Sequence, residues 1–140
     1  MKKSAVLIFI LSIIGVFLSA YSLYLHQQNT STFCHFSATF NCDIVNQGIY
    51  SEIEHIPVAA LGIFGYLVLA VGSLLLHKQK MWFLLTLIAA LIGLGFALYL
   101  TSIEAFVLKT YCLVCLASQV DILALCIVLV ASKKSYTQRV

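Results

Sequence analysis

The chain carries five cysteines, and four of them form two pairs whose spacing suits thiol–disulfide chemistry. Cys34 and Cys42 have seven residues between them, and Cys112 and Cys115 form a C-x-x-C motif. A C-x-x-C on the first turn of a helix brings its sulfurs together, and the unpaired N–H groups there favour a thiolate. Lys109 lies close enough in the sequence to add to that effect. Because the thiolate attacks disulfides, Cys112 and Cys115 are candidates for an exchange centre, with Cys34 and Cys42 as a second pair able to swing against it.

The elements that position these cysteines are expected to lie in a membrane. Of the 140 residues, 62% are apolar and 9% charged, which is far from the composition of a soluble domain. A helix needs about 20 apolar residues to cross a bilayer, and without water to satisfy the backbone such runs must be helices. The sequence therefore predicts one domain over residues 1–140, an all-α membrane protein. It would be a four-transmembrane-helix bundle with an outer loop between its first two spans, which cover Ser4 to Leu25, Val58 to Leu76, Met81 to Thr101 and Cys112 to Ala131.

The basic residues predict the orientation of this bundle, because Lys and Arg in short loops stay on the cytoplasmic side. Lys109 lies on one side of the predicted membrane, and the other seven cations lie on the opposite side: Lys2, Lys3, Lys78, Lys80, Lys133, Lys134 and Arg139. Both termini are thus expected in the cytoplasm and both cysteine pairs outside, where disulfides persist. The net charge of +3 follows from topology and gives no reason to expect nucleic-acid binding.

The first span could alternatively be a cleaved signal peptide, since two lysines precede its apolar stretch. The stretch is longer than a usual signal core, which favours a retained helix. The polar segment His26 to Ile56 follows it, and Asp43 to Ile53 are expected to form a short helix on the membrane surface.

Other interpretations of the cysteines remain open. Both pairs could be stapling disulfides, or all four sulfurs could bind zinc, although no histidine has finger-like spacing and no metal is expected. Cys126 is eleven residues beyond Cys115, which places it on a similar helix face but about 16 Å deeper, so it is expected to be a packing residue. Asp121 is a candidate either for proton relay or for bonding a neighbouring helix.

Two dithiol pairs in contact form a relay, and a relay in lipid needs a lipid-soluble electron acceptor. A quinone takes two electrons and two protons, which matches one dithiol. A quinone pocket is expected beneath Cys115, with Gln119 one turn below on the same face as a hydrogen-bonding group. Its walls are expected among aromatic residues that are equally compatible with plain core: Phe64, Tyr99, Phe106 and Tyr111.

Several runs around the two pairs match one known pattern, and they cover most of the chain: Cys34-x7-Cys42, Cys42-Asp43-Ile44-Val45-Asn46-Gln47, Ile56 to Gly62, and Tyr99 to Cys115. Together they resemble the vitamin K epoxide reductase family. The order of the pairs agrees, since the DsbB type of quinone-linked thiol oxidase carries its C-x-x-C in the first outer loop. The resemblance implies that Cys115 contacts the quinone, Cys112 is its resolving partner, Cys42 exchanges with Cys112, and Cys34 completes the pair that meets an external thiol.

Two positions depart from the pattern of this family. Gly48 stands where many relatives have Ser or Thr, although Ser51 lies nearby. Gln119 stands where vertebrate members have Tyr, so epoxide chemistry on vitamin K is not carried over from the family.

The function that the resemblance implies is that of a bacterial inner-membrane thiol oxidase. It would pass electrons from a secreted, DsbA-like thioredoxin-fold protein to menaquinone or ubiquinone. The alternatives are a vitamin K quinone or epoxide reductase and a non-catalytic membrane scaffold with stapling disulfides.

Overall fold

Four long helices form the body of the protein in a computed structural model that describes residues 2–27 and 37–138. All four are long and apolar enough to cross a membrane, so the protein is a multi-pass membrane protein and the predicted all-α four-helix bundle is confirmed. The helices of the described part are, in chain order, α1 (Lys2–Gln27), α2 (Cys42–Gln47), α3 (Val58–Leu75), α4 (Lys80–Ile103) and α5 (Leu113–Thr137).

The four long helices are arranged in a closed ring. In it α1 contacts α3, α3 contacts α4, α4 contacts α5, and α5 contacts α1. Close approach of α1 and α3 depends on Gly15, because a Cβ at that position would overlap the ring of Tyr66. Cys126 is 5% exposed and belongs to the apolar core of the bundle, as expected for a packing residue. Small residues at helix contacts are typical of membrane bundles, where packing rather than hydrophobicity drives association.

The outer end of α4 runs further than the predicted span. The helix continues into a π-helical turn at Glu104–Leu108, and Lys109 then adopts a left-handed conformation with φ of 52°. This turn reverses the chain within a few residues, so that Cys112 lies directly before α5. The short second outer connection is therefore a compact reversal that brings the end of α4 against the start of α5.

Between α1 and α3, the outer segment is less helical than predicted. Asn41 caps α2, since its side-chain oxygen accepts hydrogen bonds from the N–H groups of Asp43 (3.0 Å) and Ile44 (3.4 Å). The helix ends at Gly48, where a Cβ would lie 2.8 Å from the carbonyl oxygen of Ile44. The predicted helix over Asp43 to Ile53 is thus wrong beyond residue 47, and a 3-10 turn at Ile49–Ser51 and an antiparallel pair, β1 (Glu52–Ile53) and β2 (Ile56–Pro57), follow instead.

Candidate active site

Cys112 is the N-cap of α5 rather than a residue of its first turn. Its Sγ accepts a hydrogen bond from the N–H of Cys115 at 3.4 Å, in the place that a serine or aspartate oxygen usually occupies at a helix start. The side chain of Cys112 is fully buried. The C-x-x-C spacing therefore places the sulfur of Cys112 on the free N–H groups of a transmembrane helix, where negative charge is favoured.

Cys42 meets Cys112 at the start of α2. The thiol of Cys112 donates a hydrogen bond to the sulfur of Cys42, and the two sulfurs are 3.2 Å apart. Cys42 is disulfide-bonded and fully buried, whereas Cys112 and Cys115 are free thiols. Cys34, the predicted second member of the loop pair, lies outside the described residues. The structure thus places a thiol in contact with a disulfide sulfur, and Cys42 needs no swing to reach it.

The loop that carries Cys42 is fastened to the segment before Cys112. Phe40 and Tyr111 form a parallel β-bridge, with a hydrogen bond from the N–H of Asn41 to the carbonyl of Tyr111 at 3.1 Å. The N–H of Tyr111 donates in turn to the carbonyl of Thr39 at 2.8 Å. These backbone bonds hold the start of α2 beside the start of α5, so the contact between Cys42 and Cys112 is built into the fold.

Asn46, which the sequence did not single out, binds both sulfur-bearing residues. Its amide nitrogen donates to the carbonyl of Cys42 at 3.0 Å and to the sulfur of Cys112 at 3.6 Å. Its amide oxygen accepts from the hydroxyl of Ser22 on α1 at 2.7 Å, and its carbonyl oxygen contacts the ring of His26. The only sequence signal for Asn46 was its place in the family-like run after Cys42. Its contacts could not be predicted, because they come from three different helices.

Glu104 is the second residue that sequence reasoning missed. It is 2% exposed, and its carboxyl oxygen accepts a hydrogen bond from the N–H of Cys112 at 3.1 Å. The carboxyl group is also hydrogen-bonded to the side chain of Cys115. No local sequence pattern marks Glu104, because only the π-helical turn brings it back against the start of α5.

The environment of Cys112 lowers the pKa of its thiol below the usual value. The hydrogen bond with the side chain of Cys115 is the largest cause, and the N–H groups of Cys115 and Val114 add to it. Burial and the negative charge of Glu104 raise the pKa, but their effects are smaller in sum. Lys109 was expected from the sequence to stabilise this thiolate, but its side chain is exposed. The hydrogen bonds to the sulfur of Cys112 come instead from Cys115 and Asn46.

We expect Cys112 to ionise at a lower pH than an ordinary cysteine. Because its pKa is lowered, the thiolate is present above that pKa and is lost only as the pH falls through it, so exchange should persist to a lower pH than for an ordinary cysteine. The measurement is a titration of thiolate ultraviolet absorbance, taken as the difference between the parent protein and Cys112→Ser. A difference spectrum that titrates at or above the range of a free cysteine would contradict this assignment.

A cavity of about 210 Å³ lies beneath Cys115 and is lined by α1, α2, α3, α4 and α5. This volume exceeds the ~150 Å³ of an engineered apolar cavity that binds benzene, so a substituted six-membered ring fits. Glu104 and Cys115 lie in its wall, as does Gln119, which accepts a hydrogen bond from the hydroxyl of Thr101. Ser51 also reaches the cavity, and its hydroxyl donates to the carbonyl of Gly48 at 2.6 Å.

The aromatic residues expected around this cavity do not line it. Phe64 and Phe106 are 68% and 81% exposed, and Tyr99 is also exposed. Their predicted placement is corrected, because α3 and α4 turn small residues such as Gly65 and Gly93 toward the cavity, while these rings lie on the outer face. Tyr111 is likewise absent from the wall, since its backbone and ring contact Phe40.

Asp121 lies beside the cavity wall rather than in it. It is 7% exposed and lies beside Tyr66 of α3, with its Oδ2 atom lacking a partner in the described part of the chain. The hydroxyl of Tyr66 donates to the carbonyl of Ser118 at 2.9 Å. Asp121 therefore lies next to a neighbouring helix, and both expected roles stay predictions.

A buried thiol against a disulfide sulfur, a C-x-x-C at a helix start and a cavity beneath it between four membrane-spanning helices are the features expected of a membrane-bound disulfide oxidoreductase. A family model described as "Vitamin K epoxide reductase family" matches residues 6–130. The chain therefore belongs to the vitamin K epoxide reductase family, and its function is of the quinone-linked disulfide oxidoreductase kind. No curated protein matches the chain in a sequence comparison.

Proposed function

We propose that this protein is a quinone-dependent thiol oxidase that regenerates a secreted, DsbA-like thioredoxin-fold protein. The observation that carries the proposal is the 3.2 Å contact between the sulfurs of Cys42 and Cys112, with Cys115 next in line on the cavity wall. Two sulfur centres at contact distance can exchange a disulfide without an intermediate carrier. The four residues Cys34, Cys42, Cys112 and Cys115 are thus proposed as the catalytic cysteines.

The exchange follows a fixed order in this proposal. The dithiol of the partner reduces a disulfide between Cys34 and Cys42 and becomes a disulfide itself. The thiolate of Cys42 then attacks Cys112 in an oxidised Cys112–Cys115 pair, which forms a Cys42–Cys112 bond and releases the thiolate of Cys115. Cys34 attacks Cys42 next, which restores the loop disulfide and leaves Cys112 and Cys115 reduced, as these two cysteines are in the structure.

The cavity beneath Cys115 suits a quinone ring. Its wall is mostly apolar, and polar side chains from three helices reach it, namely His26, Gln119 and Thr101. These groups would hold the quinone oxygens, and the bound quinone, menaquinone or ubiquinone, would accept the two electrons of the helix pair. An apolar pocket with a few polar groups is the usual form of a small-molecule site.

The relay is proposed to face the outer side of a bacterial inner membrane, with both termini in the cytoplasm. The support is the distribution of Lys and Arg around the four helices, of which Lys78 and Lys80 flank the connection between α3 and α4. A disulfide at Cys42 agrees with an oxidising compartment on the opposite side. Labelling of a single cysteine introduced beside Lys78 with a membrane-impermeant reagent tests this orientation.

Quinone reduction by the purified protein in lipid nanodiscs tests the function. The protein is mixed with a reduced thioredoxin-fold partner and either a menaquinone or a ubiquinone, and quinone absorbance and partner thiols are followed together. We expect one disulfide in the partner for each quinone reduced. A folded protein that reduces neither quinone, and whose outer cysteines all stay oxidised with the reduced partner, would instead be a disulfide-stapled scaffold.

A further inference from the structure

Glu104 contacts both residues of the reduced cysteine pair, Cys112 through its backbone and Cys115 through its side chain, from a position inside the bilayer-spanning region. A carboxyl group with 2% exposure is costly to bury, and such groups are usually paired with a cation. Among the described residues, no lysine, arginine or histidine forms an ion pair with Glu104. Its partners are instead the N–H of Cys112, at 3.1 Å, and the side chain of Cys115.

A purely structural role does not require a carboxyl at this place. The N–H of Cys112 needs one acceptor, which an amide or a hydroxyl would supply without the desolvation cost of an acid. The carboxyl also lines the cavity in which Cys115 lies, so it is next to both the thiol and the space beneath it. A group that contacts the reacting sulfur and can hold a proton is placed for acid–base chemistry.

We propose that Glu104 is the proton acceptor and donor of the Cys115 thiol. When Cys112 is attacked and the Cys112–Cys115 bond breaks, the electron pair leaves on the sulfur of Cys115, and the carboxylic acid of Glu104 gives that sulfur its proton. In the opposite direction, the carboxylate removes the thiol proton before Cys115 and Cys112 become a disulfide. Oxidation of the dithiol releases two protons with two electrons, and Glu104 carries one of those protons into the cavity.

The other ionisable groups near Glu104 are few. Cys112 and Cys115 face it from α5, and Cys42 on α2 is disulfide-bonded and does not titrate. The remaining ionisable groups in the described cavity wall are His26 on α1, Tyr50 on the outer segment and Tyr66 on α3. The carboxyl of Glu104 and the thiol of Cys115 are therefore expected to titrate as an interacting pair.

The pH profile of Cys115 reactivity tests this proposal without a quinone or a partner. In a Cys112→Ser background, the reduced protein is treated with methyl methanethiosulfonate over a range from acidic to alkaline pH, and modification of Cys115 is quantified by mass spectrometry. We expect two ionisations in the profile when Glu104 is present and one in Glu104→Gln. Glu54→Gln makes the same chemical change at an exposed site on the same side and should keep two.

The role of Glu104 in proton transfer depends on the proposed oxidase function only for its expected effect on kcat. Removal of an acid–base group typically costs 10²–10⁴-fold, so Glu104→Gln should lower kcat about 100-fold and leave the KM for the reduced partner within about twofold. Glu104→Asp, which keeps the carboxyl, should recover part of kcat and retain the two-step profile. If the parent protein does not reduce quinone, the proposed oxidase function is overturned. The pH profile of Cys115 modification would still test the role of Glu104.

Two results would overturn the role of Glu104. One is a Cys115 profile in Glu104→Gln with the same steps as the parent, and the other is a kcat for this variant close to that of Glu54→Gln. If Glu104→Gln does not fold, Glu104→Asp decides, because a folded Asp variant with a single ionisation at Cys115 would exclude proton transfer by a carboxyl at this position.

Discussion

Cys115→Ser should lose quinone-linked turnover by at least about 1,000-fold and should accumulate a disulfide between Cys42 and Cys112. Loss on this scale is usual when one member of a catalytic unit is removed. The thiolate of Cys112 lies 3.2 Å from the sulfur of Cys42, so it can attack that disulfide, but the serine cannot resolve the new bond. Mass spectrometry of non-reduced peptides from the purified variant, taken before any reductant or reduced partner is added, would detect the Cys42–Cys112 link.

Two further variants serve as controls for this result. Cys112→Ser should lose turnover equally but form no link between loop and helix, because the attacking sulfur is gone. Cys126→Ser makes the same change in the apolar core of α5, outside the relay, and should retain turnover. Full activity in Cys115→Ser, or a trapped disulfide from Cys42 to any residue other than Cys34 or Cys112, would refute the proposed order of exchange.

Gly65→Phe should block the cavity and separate the two half-reactions. Gly65 lines the cavity, and its Cβ position has no atom of another residue within 4 Å, so the benzyl group has room to project into the space that a ring ligand would fill. Even about 2 kcal/mol of lost binding lowers affinity about 30-fold, and we expect at least that decrease in quinone affinity. Oxidation of one equivalent of partner by the cysteine pairs should proceed at the parent rate.

Gly95→Phe is the matched control for the cavity variant. Gly95 lies on α4, its Cβ position is equally free of neighbours, and it does not line the cavity. The same change in residue volume should therefore leave quinone affinity within about twofold of the parent, a difference of under ~0.5 kcal/mol. Equal losses in both variants would mean that the cavity beneath Cys115 is not the acceptor site, and the quinone would have to be placed elsewhere.

The spans and the cysteine pairs were predictable because each has a strong local signal. An apolar run of about 20 residues has only one backbone solution in lipid, and the C-x-x-C spacing placed Cys112 at a helix start. The helix ends were less predictable, since α4 continues past Thr101 into a π-helical turn that no local pattern marks. Beyond Gly48 the outer segment forms a 3-10 turn and two short strands where a helix was predicted.

The cavity wall could not be predicted from the sequence for a physical reason. In a helix that is apolar on all sides, periodicity does not show which face meets lipid and which meets a cavity, and Phe64 was therefore misplaced. Glu104 and Asn46 escaped attention for a different reason. Each gains its contacts to Cys112 from a chain reversal or a loop attachment, and these depend on residues far away in the sequence.

Complete burial of both Cys42 and Cys112 shields the contact between their sulfurs from solvent. Small soluble thiols such as glutathione cannot reach either of these two sulfurs directly, so reduction of the contact itself by such thiols is expected to be slow. In the proposed oxidase, electrons would then enter through a protein that engages the outer loop. The oxidising capacity of the quinone would thereby serve a protein partner and not the small thiols in solution.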